Sequence, residues 1–151
     1  MPGKTVFVVD DDSAVRRGLR FLLRSAGYTV EAFPSASSFL QGYDPRQGGC
    51  LLLDVQMPQM TGLELQQQLN VRGWRIPVIF ITGHGTVSLA IAAIKAGAFD
   101  FIEKPLREEM LLDCVERSKR HVLRARLARS QKHLDATDRK RECPGRRALS
   151  E

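Results

Sequence analysis

Five short apolar runs alternate with segments of helical character along the first 105 residues, and this alternation limits the possible folds more than any other feature. The runs lie at residues 6–9, 28–33, 50–53, 77–81 and 99–102. Continuous apolar runs of this length, rich in β-branched and aromatic residues, are typical of strands buried on both faces. Because a helical segment follows each run after a short connection, the sequence predicts an α/β fold with a doubly wound, five-stranded parallel sheet.

Capping residues and apolar spacing define the first and last helices. Asp12 or Ser13 can cap the first helix, and Gly27 can end it. The last helix is expected from Leu106 to about residue 134. The apolar stripe predicted for the first helix consists of Val15, Leu19, Leu22 and Ala26. The stripe predicted for the last helix consists of Leu111, Val115, Ser118, Val122 and Ala125.

Positive charge is concentrated near the C-terminus. Residues 1–105 contain 10 basic and 9 acidic residues, whereas residues 117–147 contain 12 basic and 3 acidic ones. A chain of 151 residues suffices for one domain with a short appendage. We therefore expect a compact domain at 1–120 and a helical extension at 121–134. Residues 135–151 form a basic tail that is too polar to offset its ordering entropy, so we expect it to be disordered.

The expected location is the cytoplasm. No apolar run approaches the ~20 residues that a transmembrane helix needs, and the N-terminus lacks the features of a signal peptide. Cys50, Cys114 and Cys143 have no spacing typical of a metal site, which indicates two core thiols and one tail thiol in a reducing compartment. We therefore expect no membrane partner.

Polar side chains stand at the ends of four of the predicted strands. In open parallel sheets, the carboxyl ends of the strands form the functional edge. Asp10, Asp11 and Asp54 would gather three carboxylates there. Such carboxylates repel one another, so at least one pKa should rise, and a hard divalent cation removes this repulsion. Mg²⁺ prefers one or two carboxylates, a carbonyl and several waters, and leaves room for a phosphate oxygen. The residues concerned are Asp10, Asp11 and Asp12 after the first strand, Asp54 after the third, Thr82 after the fourth and Lys104 after the fifth.

A hydroxyl and an ammonium group complete this predicted site. Thr82 can donate to one phosphate oxygen and Lys104 can form an ion pair with another. The arrangement can stabilise a phosphoryl group in transit onto a carboxylate, by positioning and charge neutralisation. Each residue alone is more often structural, since a strand-end aspartate usually caps a helix or faces solvent. Their joint occurrence at successive strand ends favours a functional site.

Four sequence runs stand in register along the chain. They are Val-Val-Asp-Asp-Asp at 8–12, Leu-Leu-Leu-Asp-Val-Gln-Met-Pro…Gly at 51–62, Ile-Thr-Gly at 81–83 and Phe-Ile-Glu-Lys-Pro at 101–105. These runs resemble the receiver domain of bacterial two-component response regulators, over about residues 4–120, and Thr-Gly-His-Gly at 82–85 resembles the FixJ-like subgroup. The resemblance implies a flavodoxin-like (βα)5 fold with strand order 2-1-3-4-5, and a transcription switch that a sensor histidine kinase phosphorylates.

The resemblance assigns the acceptor and the metal ligands. Asp54 is implied to be the phosphoacceptor. Mg²⁺ or Mn²⁺ is implied to be held by Asp10, Asp11, Asp54 and the backbone carbonyl of Gln56, with Asp11 as a direct ligand. Asp12 is expected to cap a helix instead. Gln56 replaces the smaller or charged residues often found there, a difference that bears on autodephosphorylation but leaves its carbonyl available to the metal.

The resemblance also assigns switch residues. Thr82 and Lys104 match the hydroxyl and the lysine of the family, and Phe101 stands at the aromatic switch position. Thr86 stands where an acidic residue is common. His84 suggests a metal or phosphorelay role, but a loop histidine without a ligand partner is more often a packing or hydrogen-bonding residue.

Members of the FixJ-like subgroup carry a helical linker and a DNA-binding output domain of the LuxR type. That domain needs about 60 further residues, and residues 121–151 hold no pair of amphipathic helices. We therefore expect the output domain to be absent or truncated, and DNA to be bound only through it. The arginine-rich stretch at 117–132 is expected to be a solvated linker helix, although direct contact with nucleic acid stays open. A second copy of the chain, bound upon phosphorylation, is a further candidate partner.

One enzyme class uses similar residues. Phosphatases of the haloacid dehalogenase type combine a strand-end aspartate nucleophile with threonine, lysine and Mg²⁺. They need a second acid two residues after the nucleophile, where this chain has Gln56. We therefore expect a signalling phosphoacceptor that catalyses only its own phosphorylation and dephosphorylation, and not a metabolic enzyme.

Overall fold

The computed structural model describes the backbone of residues 5–83 and 87–150, and the side chains of the same residues up to Gln131 except at 87, 90, 126 and 130. The chain divides into two compact units, Met1–Lys119 and Arg120–Glu151. Strands and helices alternate in the predicted order. They are β1 (Thr5–Val9), α1 (Ser13–Ser25), β2 (Thr29–Phe33), α2 (Ala36–Gly42), β3 (Cys50–Asp54), α3 (Gly62–Arg72), β4 (Val78–Thr82), α4 (Val87–Lys95), β5 (Asp100–Glu103) and α5 (Glu108–Ser150).

The five strands form one parallel sheet in the order β2-β1-β3-β4-β5. The predicted fold class and strand order are therefore confirmed. The register aligns the strand ends, because Val9 pairs with both Phe33 and Leu53, and Asp54 pairs with Ile81. All polar residues that follow the strands consequently lie along one edge of the sheet.

Two apolar layers cover the sheet and explain why its central strands β1, β3 and β4 are almost continuously apolar. On one face, Phe7, Leu51 and Phe80 pack with residues of α2, α3 and α4 such as Phe39 and Leu65. The other face packs against α1 and α5. Its buried residues include Val8, Leu52 and Ile79 from the strands, Leu19 and Leu23 from α1, and Leu111 and Val115 from α5. Each apolar strand residue therefore contributes to one core or the other, as expected for a doubly wound sheet.

Side-chain caps mark where α1, α2 and α3 begin, and Ser35 is the cap of α2. The carboxylate of Asp12 accepts a hydrogen bond from the Ala14 N–H at 2.9 Å, which confirms Asp12 as the cap of α1. Thr61 caps α3 by accepting from the Glu64 N–H at 3.2 Å. Gly73 ends α3 with a left-handed φ of 71°, a conformation that glycine adopts without strain.

The buried face of α1 differs from the predicted stripe. Leu19 and Leu23 are buried, Leu22 is half-buried, and Ala26 is exposed at the C-cap of the helix. The two leucines at 22 and 23 are adjacent and both apolar, so helical spacing alone does not determine which of them faces the sheet. Packing against β1 and β2 selects Leu23.

The helical backbone of α5 continues to Ser150. The division of the chain at residues 120 and 134, and the disorder expected for residues 135–151, stay predictions. Within the described residues, no helix combines the length and apolar character needed to cross a bilayer.

Gly62 occupies a position that leaves no room for a side chain. A Cβ atom there would lie 2.3 Å from the carbonyl oxygen of Asp54 and 2.9 Å from a ring carbon of Phe80. We expect Gly62→Ala to lower the free energy of unfolding by about 2 kcal/mol, because the backbone or the ring must shift. Urea denaturation measures the effect.

Gly18 provides the matched control, since it lies on α1 with no atom within 4 Å of an added Cβ. Gly18→Ala should raise the free energy of unfolding by about 0.5–1 kcal/mol through helix propensity alone. A Gly62→Ala protein as stable as the wild type would contradict the close packing described for the start of α3.

Candidate functional site

Three carboxylates meet at the carboxyl edge of the sheet. Asp10, Asp11 and Asp54 each bring one oxygen into a cluster in which all three atoms lie within 4.8 Å of one another. Asp10 is buried, Asp54 is partly buried, and Asp11 is exposed. The predicted acidic group is therefore brought together in space, with an open side toward solvent.

Asp10 makes one hydrogen bond through its backbone and one through its side chain, and its second carboxylate oxygen has no partner among the described residues. Its backbone N–H donates to the Phe33 carbonyl at 3.2 Å, and its Oδ1 accepts from the Asp12 N–H at 2.9 Å. Its Oδ2 is buried and has no hydrogen-bond partner among the described residues. Buried polar atoms nearly always have a partner, so an unpartnered carboxylate oxygen here fits a cation or a water bound to one.

Asp54 is the last residue of β3, and the following loop folds back over it. The Gln56 N–H donates to the Asp54 Oδ1 at 3.3 Å, while the Gly62 N–H donates to the Val55 carbonyl at 3.0 Å. Gln59 adopts a left-handed φ of 69° within this loop. The Gln56 side chain is exposed, and the backbone N–H of this residue contacts the carboxylate.

The acidic cluster lacks enough positive charge, and the pKa values of its members reflect this. The pKa of Asp54 is raised to about 6, first by burial and then by the negative charge of Asp10. The pKa of Asp10 is also raised, mainly by burial. Lys104 opposes both shifts with its positive charge. The expected rise in the pKa of at least one carboxylate is therefore found, and a divalent cation would reverse it.

Thr82 ends β4, the strand next to β3, while Phe101 lies on β5 and Lys104 directly follows β5. Thr82 is fully buried at the end of β4, where its hydroxyl donates to the Ile102 carbonyl at 3.5 Å. The Lys104 N–H donates to the Thr82 carbonyl at 2.7 Å, and the peptide from Lys104 to Pro105 is cis. Phe101 is half-buried and packs against the core that α2, α3 and α4 cover. His84 and Thr86, which the sequence singled out, lie outside the described residues.

Sequence reasoning missed one residue at this edge. The Nη1 of Arg16 donates to the Asp10 carbonyl at 2.7 Å. Side chains on a helix tilt toward its N-terminus, so a long basic residue in the first turns of α1 can reach back to the preceding loop. This tilt was the only signal in the sequence for the contact between Arg16 and Asp10, since no motif includes Arg16.

Without a bound cation, Asp54 should make stability depend on pH. Its pKa is about 6 in the folded protein and about 3.9 in an unfolded chain, so between these values the folded state binds more protons. Stability should therefore fall as the pH rises from about 4 to about 6, and stay lower above that range. Asp54→Asn removes this loss and should gain on the order of 1 kcal/mol at pH 7, after allowance for solvent screening of a half-buried group.

Thermal unfolding in a chelating buffer at pH 4 and pH 7 measures the gain. Asp44→Asn is the control, because Asp44 is an acid in a surface loop that pairs with Arg46 at 3.1 Å and should give no gain. An Asp54→Asn variant that melts no higher than wild type at pH 7 would show that the charge of Asp54 does not destabilise the folded domain.

Comparison of the sequence with known proteins shows which family this chain resembles. Residues 6–116 match the response regulator receiver domain family. The chain is 52% identical over 110 residues to the response regulator protein TodT of Pseudomonas putida, an alignment that covers 73% of this chain and 48% of TodT. It is 48% identical over 113 residues to the transcriptional regulatory protein FixJ of Azorhizobium caulinodans, which covers 75% of this chain and 54% of FixJ.

Solved structures of response regulators have the same fold as this chain. The response regulator StyR aligns with a TM-score of 0.79 at 50% identity, covering 86% of this chain and 66% of that one. The crystal structure of FixJ-N aligns with a TM-score of 0.74 at 43% identity, covering 80% of this chain and 97% of that one. The chain spans about half the length of the curated relatives it matches. Motifs, fold and comparisons together place it in the response regulator receiver domain family of two-component systems.

Proposed function

We propose that Asp54 accepts a phosphoryl group from a sensor histidine kinase, and that the added charge switches the domain to control an output. The observation that carries this proposal is the cluster of three carboxylate oxygens within 4.8 Å, centred on the end of a buried strand. Transcription is the proposed output, because TdiR of Thauera aromatica, 43% identical over 135 residues, is a transcriptional regulatory protein, as is FixJ.

The residues present fit Mg²⁺, and Mn²⁺ with the same oxygen ligands. Asp10 offers its unpartnered buried Oδ2, Asp11 an exposed carboxylate and Asp54 a partly buried one. The Gln56 backbone carbonyl is proposed as a further ligand. When bound, the cation supplies positive charge to the carboxylates and to the phosphoryl oxygens. Asp12 is excluded from this ligand set because its carboxylate caps α1.

The transfer itself requires little covalent chemistry from the protein. A carboxylate oxygen of Asp54 attacks the phosphorus atom as the bond between phosphorus and the kinase histidine nitrogen breaks, and the nitrogen keeps the electron pair. Lys104 neutralises charge on the phosphoryl oxygens, since its positive charge already acts on Asp10 and Asp54. Positioning and charge neutralisation then lower the barrier.

The switch follows from where the new charge appears. A phosphoryl group carries nearly two negative charges and places them beside Thr82, in place of the single charge of the Asp54 carboxylate. The Thr82 hydroxyl, which donates to the Ile102 carbonyl at 3.5 Å, would instead donate to the phosphoryl group. Phe101 on the neighbouring strand would turn into the space that Thr82 leaves. The surface formed by α4, β5 and residues 108–119 would then change its preference for partners, with a second copy of the chain as one candidate.

We assign the domain the role of a signalling protein that catalyses only its own phosphorylation and dephosphorylation. A cytoplasmic location is supported by the buried, unpaired thiols of Cys50 and Cys114, which fit a reducing compartment. DNA would be bound through an output domain, as in transcription regulators.

Asp54 should be the phosphorylated residue. Incubation with acetyl phosphate and Mg²⁺ should add one phosphoryl group to the wild type and none to Asp54→Asn, as measured by intact mass. Asp44→Asn, which changes an acid outside the site, should be labelled like the wild type. Equal labelling of Asp54→Asn and wild type would contradict the assignment of the acceptor.

Metal binding should depend on Asp11 and not on Asp12. Asp11→Asn removes a proposed ligand, so the dissociation constant for Mg²⁺ should rise at least tenfold. Asp12→Asn keeps the amide oxygen that can cap α1, so it should change Mg²⁺ affinity by less than about twofold, with little loss of stability. Calorimetric titration of both variants provides the test, and a larger loss for Asp12→Asn would show that the ligand assignment is displaced by one residue.

A further inference from the structure

Arg16 is bound to the loop that carries the acidic residues, although the proposed chemistry does not use it. It lies on α1, four residues after the cap Asp12, and its side chain is half-buried. Its Nη1 donates to the Asp10 carbonyl at 2.7 Å, and its backbone N–H donates to the Asp12 carbonyl at 3.1 Å. Hydrogen bonds from a charged donor are stronger than neutral ones. The guanidinium group therefore anchors the peptide group that joins Asp10 to Asp11.

Asp11 depends on this anchor because little else orients it. The residue is exposed, and in the described part of the chain none of the side-chain hydrogen bonds ends on its carboxylate. One of its oxygens nevertheless lies within 4.8 Å of oxygens of Asp10 and Asp54. Asp10, in contrast, is fixed by burial and by the Asp12 N–H. The direction of the Asp11 side chain is therefore set by the peptide group that Arg16 holds.

The choice of a carbonyl acceptor has an electrostatic consequence. An arginine paired with Asp10 or Asp54 would compete with a cation for the same oxygens. Arg16 makes its bond to a backbone oxygen instead, and among the described residues the ion pairs found do not include it. All three carboxylates thus stay available to a cation, while the loop that carries two of them is fixed.

We infer that Arg16 is a positioning residue for divalent cation binding, which acts by fixing the peptide group between Asp10 and Asp11. The inference rests on the proposed function, since it concerns the same cation site. Loss of Arg16 should have two effects of opposite sign on the affinity for the cation. Removing a positive charge near a cation site should strengthen cation binding by Coulomb's law, whereas losing the orientation of a ligand should weaken it.

The experiment is a calorimetric titration of Mg²⁺ into the full chain at fixed ionic strength, with wild type, Arg16→Gln, Arg16→Lys and Arg17→Gln. Arg17 is the matched control, because it is the next residue on α1, is exposed and carries the same charge. We expect Arg16→Gln to raise the dissociation constant about tenfold. Arg16→Lys should recover part of the affinity, since an ammonium group can also donate to the Asp10 carbonyl. Arg17→Gln should stay within about twofold of the wild type.

Melting temperatures in a chelating buffer show whether each variant is folded, and Arg16→Lys keeps the test valid if Arg16→Gln does not fold. An Arg16→Gln protein with a lower melting temperature but unchanged Mg²⁺ affinity would reduce Arg16 to a structural role and overturn the inference. Tighter binding by Arg16→Gln would also overturn it. If wild type binds Mg²⁺ and Asp11→Asn weakens binding, the cation site stands whatever Arg16 does. If wild type binds no Mg²⁺, both proposals fail.

Discussion

The repulsion among three carboxylates at one edge of the sheet is the constraint on which the rest of this structure depends. Asp10, Asp11 and Asp54 hold oxygens within 4.8 Å of one another, and burial adds to the cost of their charge. Such a cluster persists only on a scaffold that does not relax around it. The parallel register of β1 and β3 provides that scaffold, since Val9 and Leu53 are paired and the acids follow directly.

The two-sided core keeps this register fixed. A slip of one residue in β3 would move Leu51 and Leu53 from one apolar layer into the other and carry Asp54 out of the cluster. The close approach of Gly62 to the Asp54 carbonyl holds the start of α3 against the end of the strand. The same packing that stabilises the domain therefore positions its acceptor carboxylate, so the site has little freedom to separate its charges.

The strands and the residues at the edge of the sheet could largely be predicted from the sequence, because both depend on local patterns of residue types. Continuous apolar runs indicated the buried strands, and polar residues directly after them indicated the edge where Asp54 and Lys104 lie. Features that depend on packing could not be predicted in the same way. The sequence could not choose between Leu22 and Leu23, which are both apolar and adjacent. It also did not reveal Arg16, because its bond is to a backbone oxygen and leaves no pattern of residue types.

The hydrogen bonds of Thr82 connect the site to the adjoining strand. Its hydroxyl donates to the Ile102 carbonyl, and its carbonyl accepts from the Lys104 N–H. The first contact reaches β5, the edge strand that also carries Phe101, and the second reaches the residue that directly follows this strand. Under the proposed function, a phosphoryl group on Asp54 would compete for the Thr82 hydroxyl and for the Lys104 ammonium at once. Because Thr82 is bonded to β5 and Lys104 directly follows that strand, a change of charge at the end of β3 would reach the edge of the sheet through Thr82 at the end of β4, the one strand between them.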